Sequence, residues 1–273
     1  MGAVFGDRRS MRCGGLKAIV AAAGFALLAL TYGCAEVPTD PDAKAAYDER
    51  NDPLEPMNRY FFDLNNAMDE LVLKPFAGWY YILLPNFAQD GVRNALNNLR
   101  TPVILGNDLL QGDLDRAGIT VARFFINSTL GIAGLFDVAS KFGLIYHDED
   151  FGQTLAVWGT GEGPYLVLPL LGPSNPRDAT GRGVDMAMDP LTWILPMYDL
   201  GYLGYIRAGV DAVDLRARNL KTLDEIRQGA IDYYATIRSL YRQHRNDEIR
   251  NGAPPDSVSV LDYITDPQTS EAP

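Results

Sequence analysis

Asn51-Asp-Pro-Leu-Glu-Pro-Met-Asn-Arg-Tyr60-Phe-Phe-Asp-Leu-Asn-Asn-Ala-Met68 is the stretch whose reading decides the fold. Met57, Phe61, Leu64 and Met68 recur at steps of three and four, a helical period and not the alternation of a strand. The start carries helix signals as well. Asp52 can cap, Pro53 suits the first helical position, and Glu55 stands where a capping box places a carboxylate. The same period returns further along, so the chain reads as mainly α.

Toward the C-terminus, Pro75 is expected to end this first unit. Phe76–Leu84 is apolar and aromatic and stops at Pro85. A helix from Asn86 or Asp90 carries Val92, Leu96 and Leu99 and ends before Pro102, followed by a short apolar run, Val103–Leu110. Leu114–Leu130 is a longer helix, loosened at its end by Gly131 and Gly134. Positions 143–183 are rich in Gly and Pro. There Leu155–Trp158 and Tyr165–Leu171 flank Gly159, Gly161 and Gly163, which reads as a hairpin with Pro169 confining one strand to an edge or a bulge. Helix resumes at Pro190, and Leu223–Ile249 is the last one. Nothing suggests a second domain within positions 51–250, and the polar, Pro-rich positions 251–273 read as a disordered tail.

Toward the N-terminus, Ala35–Asn51 is a polar tether without periodicity. Before it stands Cys34, preceded by Gly33 and by the apolar run Ala18–Leu30. Arg8, Arg9, Arg12 and Lys17 lie upstream. A basic region, an apolar region too short to span a bilayer and small residues make a secretory signal. Its Gly-Cys ending resembles a lipoprotein signal, whose cysteine is acylated. Thr31 stands where such signals place Leu. The expected organisation is a signal peptide at 1–33, an acylated tether at 34–50, the domain at 51–250 and the tail. The other cysteine, Cys13, would leave with the signal, so neither a free thiol nor a disulfide remains.

The chain carries 24 basic and 35 acidic residues, net −11. The segment 1–33 has four basic and one acidic residue, so a chain cut before Cys34 stands near −14. That charge excludes nucleic acid and a basic face for anionic membrane. With 47% hydrophobic residues the chain is no disordered acidic polymer.

Chemistry-bearing motifs are few. His147 lies in Tyr-His-Asp-Glu-Asp, either a metal cluster or a solvated acidic turn; adjacent residues lack the spacing of calcium loops. His244 sits among Arg242 and Arg245 near a helix end, where cations suit the dipole. Ser174, between prolines, lacks the Gly-x-Ser-x-Gly elbow of a lipase. The glycine cluster has Pro164 where a dinucleotide fingerprint needs Gly, and no Walker lysine follows. Arg123 interrupts an apolar helix four residues before Asn127, on the same face. It either pairs with a carboxylate such as Asp137 or Asp113, or faces a polar path where its fork can hold a phosphate. Trp79, Tyr80, Tyr81, Trp158, Trp193 and Tyr202 fit either a tyrosine-rich core or a lipid–water interface; an acylated Cys34 favours the interface.

A resemblance joins these segments. Asn51-Asp52-Pro53-Leu54-Glu55 followed by Asn58-Arg59 is similar to the opening of the VacJ-like (MlaA) phospholipid-transport lipoproteins. Leu110–Asp113, Arg123–Gly131, Phe151-Gly152, Gly163-Pro164-Tyr165, Leu168-Pro169, Gly172 and Arg177-Asp178 match in the same order. The resemblance implies a compact, ring-like helical bundle lying in the inner leaflet of the outer membrane. It implies an amphipathic passage that takes mislocalised phospholipid from the outer leaflet to a periplasmic lipid-carrier protein. It implies a trimeric porin as holder, no cofactor and no catalysis. Arg123 and Asn127 are then candidates for the headgroup path, and Gly159, Gly161 and Gly163 for the hinge of a mobile hairpin. The competing class is a membrane-anchored phospholipid hydrolase.

Overall fold

A computed structural model describes residues 51–253. The expected signal at 1–33, the expected acylation of Cys34, the expected tether and the tail beyond 253 lie outside the described residues.

The first helix, α1 (Glu55–Met68), forms where its period predicts, but its cap differs. Leu54 is the capping residue and offers no side-chain bond. Asp52 is buried and spent on tertiary partners: it accepts from Asn58 at 2.8 Å, from Tyr234 at 2.5 Å and from Arg238 at 2.8 Å. Glu55 instead pairs with Arg59 at 2.8 Å, one turn on.

Pro75 does not end the unit. A π-helical turn (Asp69–Leu73) leads directly into α2 (Lys74–Leu83). The Lys74 N–H donates five residues back, to Asp69. This wider turn accommodates a proline that lacks an N–H and crowds the carbonyl before it. Pro102 is absorbed too, for α3 runs unbroken over Asn86–Gln111. Thr101 turns its hydroxyl back to the Asn97 carbonyl at 3.4 Å beside the proline. Gly112, at φ 79°, ends α3 in the left-handed region. Asp113 then caps α4 (Leu114–Thr129) by accepting from the Arg116 N–H.

The Gly/Pro-rich middle holds more helix than its composition suggests. A 3₁₀ turn (Ala139–Phe142) precedes α5 (Phe151–Val157), capped by Asp150, so 155–157 is helical and no strand. The hairpin pairs β1 (Leu166–Leu168) with β2 (Gly172–Ser174), in register Val167 to Pro173. It turns on Pro169–Leu171, and the glycine cluster is the loop before it. α6 (Pro176–Met188) follows, capped by Asn175 with Pro176 at its first position. Its cap and proline are orthodox start signals, submerged in a stretch dominated by turn formers. Then come α7 (Pro190–Met197) and α8 (Tyr202–Arg218). The last predicted helix is two, α9 (Leu220–Gly229) and α10 (Tyr233–Ile249), parted at Ala230 and restarted by the Asp232 cap.

α2 packs on α8, α8 on α3, α3 on α4 and α5, α5 on α6, and α10 on α5 and β2. The chain's start closes on its end. Asn58 sends its amide to the Tyr165 carbonyl at 2.9 Å, and Phe62 meets Tyr233 and Tyr234 edge-on or tilted at 5.3 Å.

Polarity is inverted relative to a water-soluble bundle. The largest fully buried side chains are all polar, among them Gln153, Glu149, Asn58, Asn107 and Asp214. Large apolar side chains stand outside: Leu71 is 76% exposed, Ile82 77%, Phe87 76% and Met197 77%. Burying one such side chain is worth about 2 kcal/mol, so a coat of them this dense calls for a non-aqueous surrounding. Among the described residues no helix is long and apolar enough to cross a membrane.

Candidate functional site

The polar interior is organised by one face of α3. Arg93, Asn94, Asn97, Asn98, Arg100 and Thr101 fall at three- and four-residue steps. Between this face and α8 lies a cavity of about 270 Å³, lined by Arg93, Leu96, Asn97, Arg100, Tyr146, Asp148, Arg207, Asp211, Leu215 and Arg218. A crevice of about 20 Å³ is lined by Asn94, Asn97, Asn98, Thr101, Arg123, Asn127 and Tyr146. A third, also about 20 Å³, takes in Thr120 and His147. Tyr146 borders all three. Burial pushes its phenol up, so it stays neutral.

The cavity walls are ion pairs. Arg93 meets Asp214 at 2.6 Å and Asp211 at 3.1 Å. Arg218 shares Asp214 at 3.0 Å, and the Tyr80 hydroxyl donates to the same carboxylate at 2.8 Å. Arg207 holds Asp189 at 2.5 Å and Arg100 holds Asp148 at 3.0 Å. The second carboxylate oxygen of Asp148, Oδ1, is buried, and the Tyr146 hydroxyl stands within reach of the same carboxylate. Burial drives the Asp148 carboxyl upward against the pull of Arg100.

Arg123 is paired. Its guanidinium donates to Asp137 at 3.0 Å, to Ser140 at 3.0 Å and to the Leu144 carbonyl, and lies 5.5 Å from the Tyr146 ring centre. Asn127 bridges the same carboxylate at 3.1 Å and accepts the Ala139 N–H at 2.9 Å. Burial opposes the charge of Asp137, but Ser140, Arg123 and Asn127 together bring its carboxyl below the usual range. These contacts fasten the 3₁₀ turn to α4. Of the two readings open in the sequence, the ion pair is present, and one edge of Arg123 and Asn127 still borders the crevice.

The three cluster glycines separate. Gly159 and Gly163 need the left-handed region, at φ 87° and 71°; Gly161 does not. The far end of the loop is tied down: Asn51 donates to the Gly163 carbonyl at 2.7 Å and Arg242 meets Glu162 at 2.9 Å. The remaining opening residues lock the chain ends together. Arg59 pairs with Asp232 at 2.6 Å and stacks 4.3 Å from the Tyr234 ring centre, while Pro53 and Leu54 carry the chain into α1.

His147 does not sit in a solvated turn. Its Nε2 faces Asp108 at 3.1 Å and the Thr120 hydroxyl at 3.1 Å, and that hydroxyl donates to Asp108 at 2.6 Å. Hydroxyl, imidazole and carboxylate are present, but one nitrogen serves both partners and no second nitrogen is oriented by the acid, as a catalytic triad needs. Ser174 is fully buried. Among the described residues no group of three or more His, Cys, Asp or Glu could hold a metal ion.

The sequence reading missed the arginines of the cavity. The signal was present in α8, where Arg207, Asp211, Asp214 and Arg218 recur at helical spacing.

The MlaA lipoprotein family model matches residues 50–248. The intermembrane phospholipid transport system lipoprotein MlaA of Haemophilus influenzae is 36% identical over 230 residues, 82% of this chain and 88% of that one. The Escherichia coli K12 protein of the same name is 31% identical over 247 residues, 87% and 93%. A solved structure described as "Structural basis for maintenance of bacterial outer membrane lipid asymmetry" superposes with a TM-score of 0.63 at 33% identity, covering 72% of this chain and 98% of that one.

Proposed function

This chain belongs to the MlaA lipoprotein family, and from that premise we propose that it removes mislocalised phospholipid from the outer leaflet of the outer membrane and passes it to a periplasmic carrier, so maintaining lipid asymmetry. The relatives' names supply the substrate class and the transport system. The observation that carries the reading is the inverted polarity: an apolar exterior encloses a polar interior centred on the cavity between α3 and α8. A lipid can move along such a boundary without bond chemistry. Its chains stay in hydrocarbon and its headgroup avoids the cost of an unpaired charge there. Acylation of Cys34 anchors the body on the periplasmic side, and a trimeric porin holds it in place. Arg123 and Asn127 brace the wall beside the headgroup path through Asp137, and the Gly159–Gly163 loop lets the adjoining hairpin move. The hydrolase reading gains no support from Thr120 and Ser174, both of which are buried.

Deleting the chain from cells should raise outer-leaflet phospholipid, measured by chemical labelling of intact cells, and the acylated wild type should restore it. An unchanged outer leaflet would sink the reading. Lysophospholipid released by the purified protein would favour the hydrolase.

A further inference from the structure

We propose that the cavity between α3 and α8 is a headgroup subsite selective for a phosphodiester that carries a primary ammonium, an ethanolamine type, over a purely anionic one. The inference rests on the transport reading above and specifies its ligand.

The walls are alternating charges. Arg93, Arg100, Arg207 and Arg218 supply guanidiniums, and Asp148 and Asp211 supply carboxylates to the same cavity. Each arginine already has an acidic partner within 3.1 Å. An anion alone would compete for guanidiniums that are already neutralised and would leave displaced carboxylates without a cation, most costly at the fully buried Asp214. A zwitterion exchanges partners without that cost. Its phosphate takes the forked donors of Arg100 and Arg93, and its ammonium takes the carboxylates.

The carboxylates discriminate among ammonium types. Asp148 and Asp211 stand in the cavity wall as acceptors, each held there by an arginine. A primary ammonium brings three N–H donors. A quaternary ammonium brings none, and a glycerol headgroup brings hydroxyls without charge. At about 270 Å³ the cavity far exceeds the ~15 Å³ that holds one water and admits a small headgroup. Leu96 and Leu215 give the cavity an apolar side toward the acyl chains.

The test uses the full acylated chain in maltoside micelles and equilibrium binding of dihexanoyl phosphatidylethanolamine. Dihexanoyl phosphatidylglycerol, dihexanoyl phosphatidylcholine, free phosphoethanolamine and inorganic phosphate serve as competitors. The ethanolamine lipid should bind about tenfold more tightly than either other lipid, a step of 1.4 kcal/mol. Asp148→Asn should abolish that preference and leave glycerol-lipid binding unchanged. Asp211→Asn, at the half-exposed rim where it pairs with Arg93, should lower the preference in part and covers the case of a misfolded Asp148 variant. Equal binding of all three lipids would overturn the subsite and leave the transport reading intact. Absence of binding by any lipid would overturn both. Inorganic phosphate competing as well as the lipid would reassign the cavity to free phosphate.

Discussion

Arg123→Leu separates a structural arginine from a transport residue. In the folded chain one tenth of the Arg123 side chain and a quarter of Asp137 are exposed. The substitution removes the donors to Asp137, Ser140 and the Leu144 carbonyl together. Breaking a buried pair by deleting one partner costs 3–5 kcal/mol when the remaining charge stays unpaired. Asp137 keeps Asn127 and two donors from Ser140, and part of it reaches water, so the lower end applies, about 3 kcal/mol. For a domain of this size each kcal/mol moves the melting temperature by roughly 2–4 °C, which gives a fall of about 6–12 °C. Asp137→Asn should fall by a similar amount, and the double variant by clearly less than the two combined, because both act on one interaction. Thermal unfolding followed by circular dichroism in micelles measures all three. Outer-leaflet phospholipid should rise only as far as the amount of folded protein drops. A variant that melts within about 2 °C of the parent yet no longer clears lipid would refute the structural assignment and place Arg123 on the headgroup path.

Gly181→Ala should lower stability by about 3 kcal/mol, the upper range for overpacking, because its new methyl would sit 2.4 Å from the Gly152 backbone nitrogen where α6 crosses α5; a melting temperature equal to wild type contradicts that packing. Gly159→Ala must hold φ 87° with a Cβ and should lose about 1 kcal/mol, whereas Gly161→Ala meets open space at an ordinary φ and should stay within about 1 kcal/mol of wild type on either side; denaturant midpoints of the two variants decide the order. Burial raises the Asp185 carboxyl from 3.8 to about 6, so the folded state holds that proton more tightly than the unfolded one. Stability should therefore rise by roughly 1 kcal/mol as pH falls from 7 to 5, before the lowered groups Asp137 and Asp150 begin to lose theirs below about 4. Asp185→Asn should lessen the overall rise by roughly 1 kcal/mol, leaving what Asp148 and Glu149, also raised by burial, contribute, and an unaltered pH profile would sink the assignment.

Helix was legible wherever the apolar period ran long, as at Met57–Met68 and Leu114–Leu130. What the period could not tell is which way the stripe faces. Leu64 and Met68 lie outward and Asn58 inward, because the surrounding medium, not the chain, decides which face is hidden. Two prolines misled in the same manner. Pro75 and Pro102 break an isolated helix, but here a π-helical turn accommodates the first and α3 runs unbroken past the second, with α8 and α4 packed alongside. Asp52 looked like a local cap and is a long-range anchor, since its partners Tyr234 and Arg238 stand some 180 residues away. Arg123 and Asn127 were found because a lone charge in an apolar helix is conspicuous. The cavity arginines escaped because each is ordinary by itself, and only the fold brings Arg93 and Arg100 of α3 opposite Arg207 and Arg218 of α8.

The central claim is that the apolar exterior faces lipid around a polar interior. The chain has three tryptophans, Trp79, Trp158 and Trp193, and all are exposed. Tryptophan fluorescence of the reconstituted protein therefore reads the exterior directly. Bromine placed on the lipid acyl chains should quench most of the emission, and aqueous iodide should quench little. Strong quenching by iodide with little by the brominated lipid would mean that the apolar coat meets water, and would contradict the account.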